Sequence, residues 1–116
     1  MREDGKLDYL EMPGAGLSRV KTFYAAAFGW RFVDYGPDYA AFDEGLSGGF
    51  QAADTPSAAP LPILYAHDLE AMFDRVQAAG AVIVRPIFSF PGGRRFHFRD
   101  PAGNELAVWS EISEQP

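Results

Sequence analysis

A thirteen-residue stretch, LSRVKTFYAAAFG at residues 17–29, has a counterpart in LEAMFDRVQAAG at residues 69–80. In the first stretch, apolar side chains recur in steps of three and four: Leu17, Val20, Phe23, Tyr24, Ala27 and Phe28. In the second, the equivalent stripe consists of Leu69, Met72, Phe73, Val76 and Ala79. This spacing predicts two amphipathic helices. Gly29 and Gly80 follow the stripes, where glycine commonly ends a helix.

Short apolar segments surround both predicted helices in the same order. Strands are predicted before the helices at residues 7–12 and 62–66, closed in the first case by a turn at Pro13-Gly14. After the first helix they are predicted at residues 30–33, 39–42 and 49–51. After the second helix they are predicted at residues 81–84, 88–90, 95–98 and 105–109.

The spacing between the two stretches indicates a duplicated unit. Gly29 and Gly80 lie 51 positions apart (80 minus 29), and Leu17 and Leu69 lie 52 apart (69 minus 17). We therefore predict the α+β class, with two tandem βαβββ modules that form curved mixed sheets around a cavity. The expected organisation is one domain over residues 1–116, with modules at about residues 7–51 and 61–110 and a linker at residues 52–60.

Composition and charge limit the kinds of function. The formal charge of −6 argues against nucleic-acid binding, because phosphate contacts need clustered Lys and Arg side chains. The chain has no cysteine, which excludes disulfides, thiolate metal sites and cysteine nucleophiles. No apolar run reaches about 18 residues, so we predict no membrane association and a cytoplasmic protein.

Two short motifs resemble those of a known superfamily. They are FY…FGW, within residues 23–30, and DPAGN at residues 100–104. With Asp68 at the predicted start of the second helix, they resemble the vicinal-oxygen-chelate superfamily. That superfamily includes glyoxalase I, extradiol dioxygenases, fosfomycin-resistance enzymes and bleomycin-resistance proteins. The resemblance runs from about Leu7 to Trp109 and implies the same fold as the repeat.

The resemblance also implies where metal ligands would lie. Enzymes of the superfamily hold a divalent ion with His, Glu or Gln side chains on the first and last strands of each unit. The matching positions here are Tyr9, Pro62 and Ala107, with Gln51 or its neighbours near the remaining one. Proline and alanine side chains carry no ligand atom, and tyrosine is a poor replacement for imidazole or carboxylate. We therefore predict no metal and no cofactor.

Alternation along strands identifies candidate residues of the cavity. If Ala107 faces inward, so do its strand neighbours two residues away, and the same holds for Tyr9. The resulting ligand-binding candidates are Tyr9, Glu11, Gln51, Glu105, Ala107 and Trp109. Two carboxylates at such a site would bind a cationic or hydrogen-bonding ligand, or one would act as a general base. The competing interpretation places both glutamates at strand ends in water, where glutamate is usually found.

Three further features have ordinary explanations. His67 precedes the helix cap Asp68 and is interpreted as a solvated loop residue. His97 is interpreted as a structural hydrogen-bonding residue, with general-base catalysis as the less favoured alternative. The GGRR segment at residues 92–95 is interpreted as a hairpin turn with exposed arginines rather than an anion-binding nest.

The leading hypothesis is a glyoxalase/bleomycin-resistance-like protein that binds a small molecule in a metal-free cavity. Its bleomycin-resistance relatives act by sequestration, and with them we expect a homodimer. One alternative is a lyase or isomerase of the glyoxalase type, using a metal or an acid–base group such as Glu11 or Glu105. A second is a non-catalytic structural or regulatory subunit. The sequence leaves open whether the protein catalyses a reaction.

Overall fold

The computed structural model describes residues 2–52 and 59–111, and most of the predicted linker falls outside these ranges. The described elements are β1 (Leu7–Gly14), α1 (Leu17–Phe28), β2 (Val33–Asp34), β3 (Tyr39–Asp43), β4 (Ser47–Ala52), β5 (Leu61–Tyr65), α2 (Leu69–Ala78), β6 (Val82–Phe90), β7 (Gly93–Arg99) and β8 (Glu105–Glu111). This order confirms the predicted α+β class and the strand–helix–three-strand order of each half. The chain forms two compact units. We call residues 9–61 the N-terminal unit, and residues 2–8 with 62–111 the C-terminal unit.

The two units have sheets of the same topology. In the N-terminal unit the strand order is β2-β3-β4-β1, with β1 parallel to β4 and β3 antiparallel to both its neighbours. In the C-terminal unit it is β6-β7-β8-β5, with β5 parallel to β8 and β7 antiparallel to both its neighbours. The first strand of each unit therefore pairs with its last strand, and the helix supplies the long crossover that a parallel pair requires.

Helix α2 follows its predicted stripe closely. The Asp68 side chain caps its start by accepting a hydrogen bond from the Ala71 amide at 3.1 Å. Leu69 is fully buried against Ala66, Phe96 and Val108. Further partly buried side chains pack around this core: Leu64, Met72, Phe73, Val76, Ile83, Ile87 and Phe98. The stripe stops short of Ala79, which ends the helix and is exposed.

Helix α1 is packed less completely than predicted. Its stripe divides: Leu17, Val20 and Tyr24 are partly buried, whereas Phe23 and Phe28 are 56% and 65% exposed. Phe23 lies at one edge of the stripe, and Phe28 is the last residue of the helix. Gly29 ends the helix as expected, with a positive φ of 74°.

Three strand boundaries differ from the predictions. Pro13-Gly14 is not a turn but the end of β1, because parallel pairing with β4 continues to the Gly14–Ala52 pair. Residues 30–32 are not a strand, since Trp30 instead stacks on Tyr24 with ring centroids 4.7 Å apart. The predicted segments 81–84 and 88–90 form one strand, β6, which is irregular on either side of Arg85.

In the described residues, no helix is long and apolar enough to cross a membrane.

Candidate functional site

In each unit, one face of the sheet packs against the helix and the other carries the predicted site residues. Phe50 of β4 contacts Tyr24 of α1, with ring centroids 5.3 Å apart. Alternation therefore places Gly49 and Gln51 on the face without a helix. Glu11 pairs with Gly49, so Tyr9 and Glu11 share that face. We call it the helix-free face of the N-terminal unit.

The helix-free face of the N-terminal unit holds a tyrosine cluster that the sequence analysis only partly identified. The Tyr9 and Tyr39 hydroxyl oxygens are 2.6 Å apart, and the Tyr39 hydroxyl donates to Glu11 Oε1 at 3.5 Å. A Cβ at Gly49 would lie 2.5 Å from the Tyr39 ring, so glycine is needed for the ring to cross the sheet here. Gln51 is exposed and donates to the Asp38 carbonyl at 3.4 Å, so the structure does not join it to the cluster.

In the C-terminal unit, the predicted residues Glu105, Ala107 and Trp109 alternate with core residues. Val108 is buried against α2, which places these three on the opposite, helix-free face of that unit. The Trp109 indole N–H donates to Asp8 Oδ2 at 2.9 Å. The Arg2 guanidinium lies 5.1 Å from the centre of the Trp109 ring and forms an ion pair with Asp8 at 3.3 Å. Trp109 is thus held by residues near the start of the chain.

Ala107 lies in a row that crosses four neighbouring strands. Ile63 of β5 pairs with Ala107, which pairs with His97 of β7, which pairs with Arg85 of β6. Ala107 is fully buried. The register also corrects the match made at Pro62: Leu64 packs towards α2, so Pro62 faces the helix, and Ile63 occupies the helix-free face.

His97 and Glu105 form the most chemically specific pair on this face. His97 Nδ1 lies 2.9 Å from Glu105 Oε2, and the His97 side chain is buried, with 6% of the residue exposed. A carboxylate only accepts hydrogen bonds, so the hydrogen of the neutral imidazole is on Nδ1. Nε2 is then an acceptor, and it is buried without a hydrogen-bond partner in the described part of the chain.

Burial lowers the pKa of His97, and the hydrogen bond that His97 donates to Glu105 only partly opposes this effect. The positive charges of Arg95 and Arg85 lower the pKa further. The imidazole is therefore neutral at neutral pH. This confirms His97 as a hydrogen-bonding residue. Its partner Glu105 is the first residue of β8, and 38% of the Glu105 side chain is exposed.

The lowered pKa of His97 predicts a loss of stability in mild acid. The ordinary pKa of histidine is 6.5. Below this pH the His97 side chain is protonated in the unfolded chain but stays neutral in the folded chain, so the free energy of unfolding falls as the pH decreases. The fall continues until the pH passes the pKa of the folded state. Urea unfolding across about pH 5–8 should show this slope in the wild type and lose much of it in His97→Phe. His67→Phe is the matched control, and an unchanged slope in His97→Phe would contradict the prediction.

The remaining charged candidates have structural partners. His67 is exposed and its Nδ1 lies 2.7 Å from Asp4 Oδ1, as expected of a solvated loop residue. The two arginines after the β6–β7 turn lie on opposite faces of β7, so they do not form a nest. Arg94 binds Glu70 with two hydrogen bonds and lowers the pKa of that carboxyl to about 2.

The side chains present do not fit the metal site that the superfamily uses. The position of its last-strand carboxylate is the fully buried Ala107, and the facing first-strand residue is Ile63, so neither offers a ligand atom. Among residues 2–52 and 59–111, no group of three or more His, Cys, Asp or Glu side chains is placed to hold an ion. Three protein ligands are the usual minimum for a catalytic zinc site, for example.

The topology and the motifs place the chain in a protein family. The model of the Glyoxalase/Bleomycin resistance protein/Dioxygenase superfamily matches residues 6–108, and the chain belongs to this superfamily. No curated protein sequence matches the chain.

Solved structures with this fold have varied descriptions. Methylmalonyl-CoA epimerase from Mycobacterium tuberculosis has a TM-score of 0.75 and 15% identity, over 98% of this chain and 93% of that one. An NAD-dependent benzaldehyde dehydrogenase structure from Legionella pneumophila has a TM-score of 0.74 and 13% identity, over 90% of this chain and 98% of that one. The Mn(II)-bound glyoxalase from Novosphingobium aromaticivorans has a TM-score of 0.67 and 22% identity. That match covers 97% of this chain but 41% of the glyoxalase chain. At these identities the likeness shows the fold alone.

Proposed function

We propose that this protein binds a small molecule through direct contacts with its side chains, without the divalent metal that enzymes of its superfamily use. The observation that carries the proposal is the buried row Ile63–Ala107–His97 in the C-terminal unit. It has apolar side chains where the superfamily has ligands, and beside them an imidazole acceptor that has no hydrogen-bond partner in residues 2–52 and 59–111. Apolar walls with a few placed polar groups are typical of small-molecule sites.

The tyrosine cluster supports the same proposal in the N-terminal unit. Tyr9, Tyr39 and Glu11 are linked by hydrogen bonds on a face that carries no helix. Their participation in ligand binding, together with that of Gln51, stays a prediction from the sequence. So do a homodimeric assembly, the absence of nucleic-acid and membrane partners and a cytoplasmic location. Sedimentation analysis of the purified chain tests the dimer directly.

Metal analysis tests the first half of the proposal. After dialysis against Zn²⁺, Ni²⁺, Mn²⁺ or Fe²⁺ and removal of free ions, we expect well below one equivalent of metal per chain by elemental analysis. We also expect no rise in the melting temperature on adding the ions. One equivalent of any ion that survives dialysis and stabilises the fold would contradict the proposal.

Ligand screening tests the second half. A panel of small metabolites and cationic antibiotics should contain a compound that stabilises the protein. At one hundred times its Kd, such a ligand contributes about 2.7 kcal/mol, which corresponds to a rise in Tm on the order of 10 °C. Trp109 reports its location: in Trp30→Phe it is the sole tryptophan, and its fluorescence should change on binding. In Trp109→Phe the sole tryptophan is Trp30. If the fluorescence changes on binding in this variant but not in Trp30→Phe, the ligand binds away from Trp109.

The second candidate function is acid–base catalysis without a metal. The hydrogen bond between His97 and Glu105 has the arrangement in which a carboxylate orients an imidazole for proton transfer. A bound compound that is converted at a rate sensitive to His97→Phe would favour this alternative over sequestration.

A further inference from the structure

The His97 imidazole has an acceptor whose partner the described protein does not supply. Nε2 is buried and makes no hydrogen bond within the described residues, whereas Nδ1 is bonded to Glu105 at 2.9 Å. Leaving a buried polar atom unpaired costs about 1–3 kcal/mol, and natural proteins contain few such atoms. The arrangement is therefore one that a bound molecule would complete.

The surroundings of Nε2 restrict the chemistry of that molecule. On one side of the imidazole, its row continues with the methyl side chain of Ala107 and, beyond it, Ile63, both buried; on the other side the row neighbour is Arg85. The Phe88 ring lies 5.7 Å from the imidazole, centroid to centroid. An apolar body suits these walls, because it gains from being removed from water.

Charge restricts the molecule further. The Arg85 guanidinium lies over the Phe88 ring at 3.9 Å, and the Arg95 guanidinium lies 5.6 Å from the same ring. Two guanidinium groups on this side of His97 oppose the entry of an ammonium group, and Glu105 is already bonded to the imidazole. The cationic ligand considered from the sequence is therefore disfavoured at this position.

We propose that His97 Nε2 accepts a hydrogen bond from an O–H or N–H group of a ligand that has an apolar body and no positive charge. Glu105 acts as a positioning residue, because its carboxylate keeps the hydrogen on Nδ1 and so leaves Nε2 as the acceptor. The inference rests on the proposed small-molecule binding and specifies its ligand class.

Nitrogen NMR of the histidine side chains tests the state of the imidazole before any ligand is added. In full-length protein at neutral pH, the His97 resonances should show a protonated Nδ1 and an unprotonated Nε2. In Glu105→Gln the carboxylate is gone, and the other tautomer should become populated. His67→Phe, which removes the other histidine, assigns the signals. A hydrogen found on Nε2 in the wild type would overturn the proposal.

Paired probes then test the ligand class. Benzyl alcohol and benzyl methyl ether differ in one O–H group, and indole and 1-methylindole differ in one N–H group. The alcohol or indole should shift the Nε2 resonance, and its methylated partner should bind about 10-fold more weakly, as expected for one lost hydrogen bond. His97→Phe should remove this difference while His67→Phe retains it. If His97→Phe does not fold, Glu105→Gln serves, with an expected weakening of the alcohol or indole only.

The outcomes separate this inference from the proposed function. Equal binding of methylated and unmethylated probes would overturn the hydrogen-bond proposal and leave small-molecule binding intact. An Nε2 resonance insensitive to every probe would mean that a structural water completes the site, which also overturns the proposal. Failure of the probes together with failure of the whole ligand panel would overturn both.

Discussion

Phe96→Ala should lower the free energy of unfolding by about 3–5 kcal/mol, because it removes a fully buried ring from the centre of the C-terminal unit. Phe96 packs with Leu69 and Val108, and its ring lies edge-on to Phe73 with centroids 5.0 Å apart. These neighbours come from a helix and a neighbouring strand, so they cannot collapse together into the space. Domains of this kind are stable by about 5–15 kcal/mol, so the loss is a large fraction of the total.

Urea unfolding of full-length protein measures this effect. For a small domain, a loss of about 4 kcal/mol moves the midpoint by roughly 2 M. The matched control is Phe28→Ala, which removes the same ring from a position that is 65% exposed and should cost less than about 1 kcal/mol. Equal losses in the two variants would mean that Phe96 does not lie in the core or that α1 is covered in solution.

Gly48→Ala should strongly destabilise the N-terminal unit. A Cβ at this position would collide with the backbone carbonyl of Leu10 and lie 2.6 Å from the ring of Phe42. The carbonyl belongs to the strand that pairs with β4 at this residue, so relief requires the β1–β4 pairing to open. We expect a cost of more than about 3 kcal/mol, with the reason being space and not backbone conformation.

The neighbouring residue provides the control for this substitution. Ser47 precedes Gly48 on β4 and is exposed, so Ser47→Ala should change the stability by no more than about 0.5 kcal/mol. Thermal unfolding of both variants, with the sheet content followed by circular dichroism, separates the two. A Gly48→Ala protein with wild-type stability would contradict the close approach of β1 and β4.

The local patterns were reliable where one physical requirement acted alone. Asp68 was predicted as a cap and is one, because capping depends on the residue and the amide three positions later. The α2 stripe was predicted correctly from Leu69 to Val76 because one face of that helix meets one sheet. The α1 stripe was not predicted correctly. The burial of Phe23 and Phe28 depends on whether another part of the protein covers them, and the spacing within the helix does not determine this.

The alternation of side chains along the strands identified candidate functional residues, but it did not identify their hydrogen-bond partners. The strand pattern predicted that Glu105, Ala107 and Trp109 share a face, because successive side chains alternate. It left open which face His97 takes, and whether Tyr39 belongs to the pocket or only to the sheet; the structure places Tyr39 at the centre of the tyrosine cluster. The adjacent glycines Gly48 and Gly49 were the available signal, since side-chain-free positions in a strand allow a ring or another strand to approach closely.

What the sequence determines by itself is the duplicated βαβββ order, both helix ends and the absence of ligand atoms at Ala107. These depend on residue type and short-range spacing. Only the tertiary structure decides that His97 meets Glu105. Those residues lie eight positions apart, on strands joined by the Asp100–Asn104 turn, where Asp100 accepts hydrogen bonds from two backbone amides. That turn sets the β7–β8 register, and the register places a carboxylate on Nδ1 and leaves Nε2 buried with no hydrogen-bond partner among the described residues.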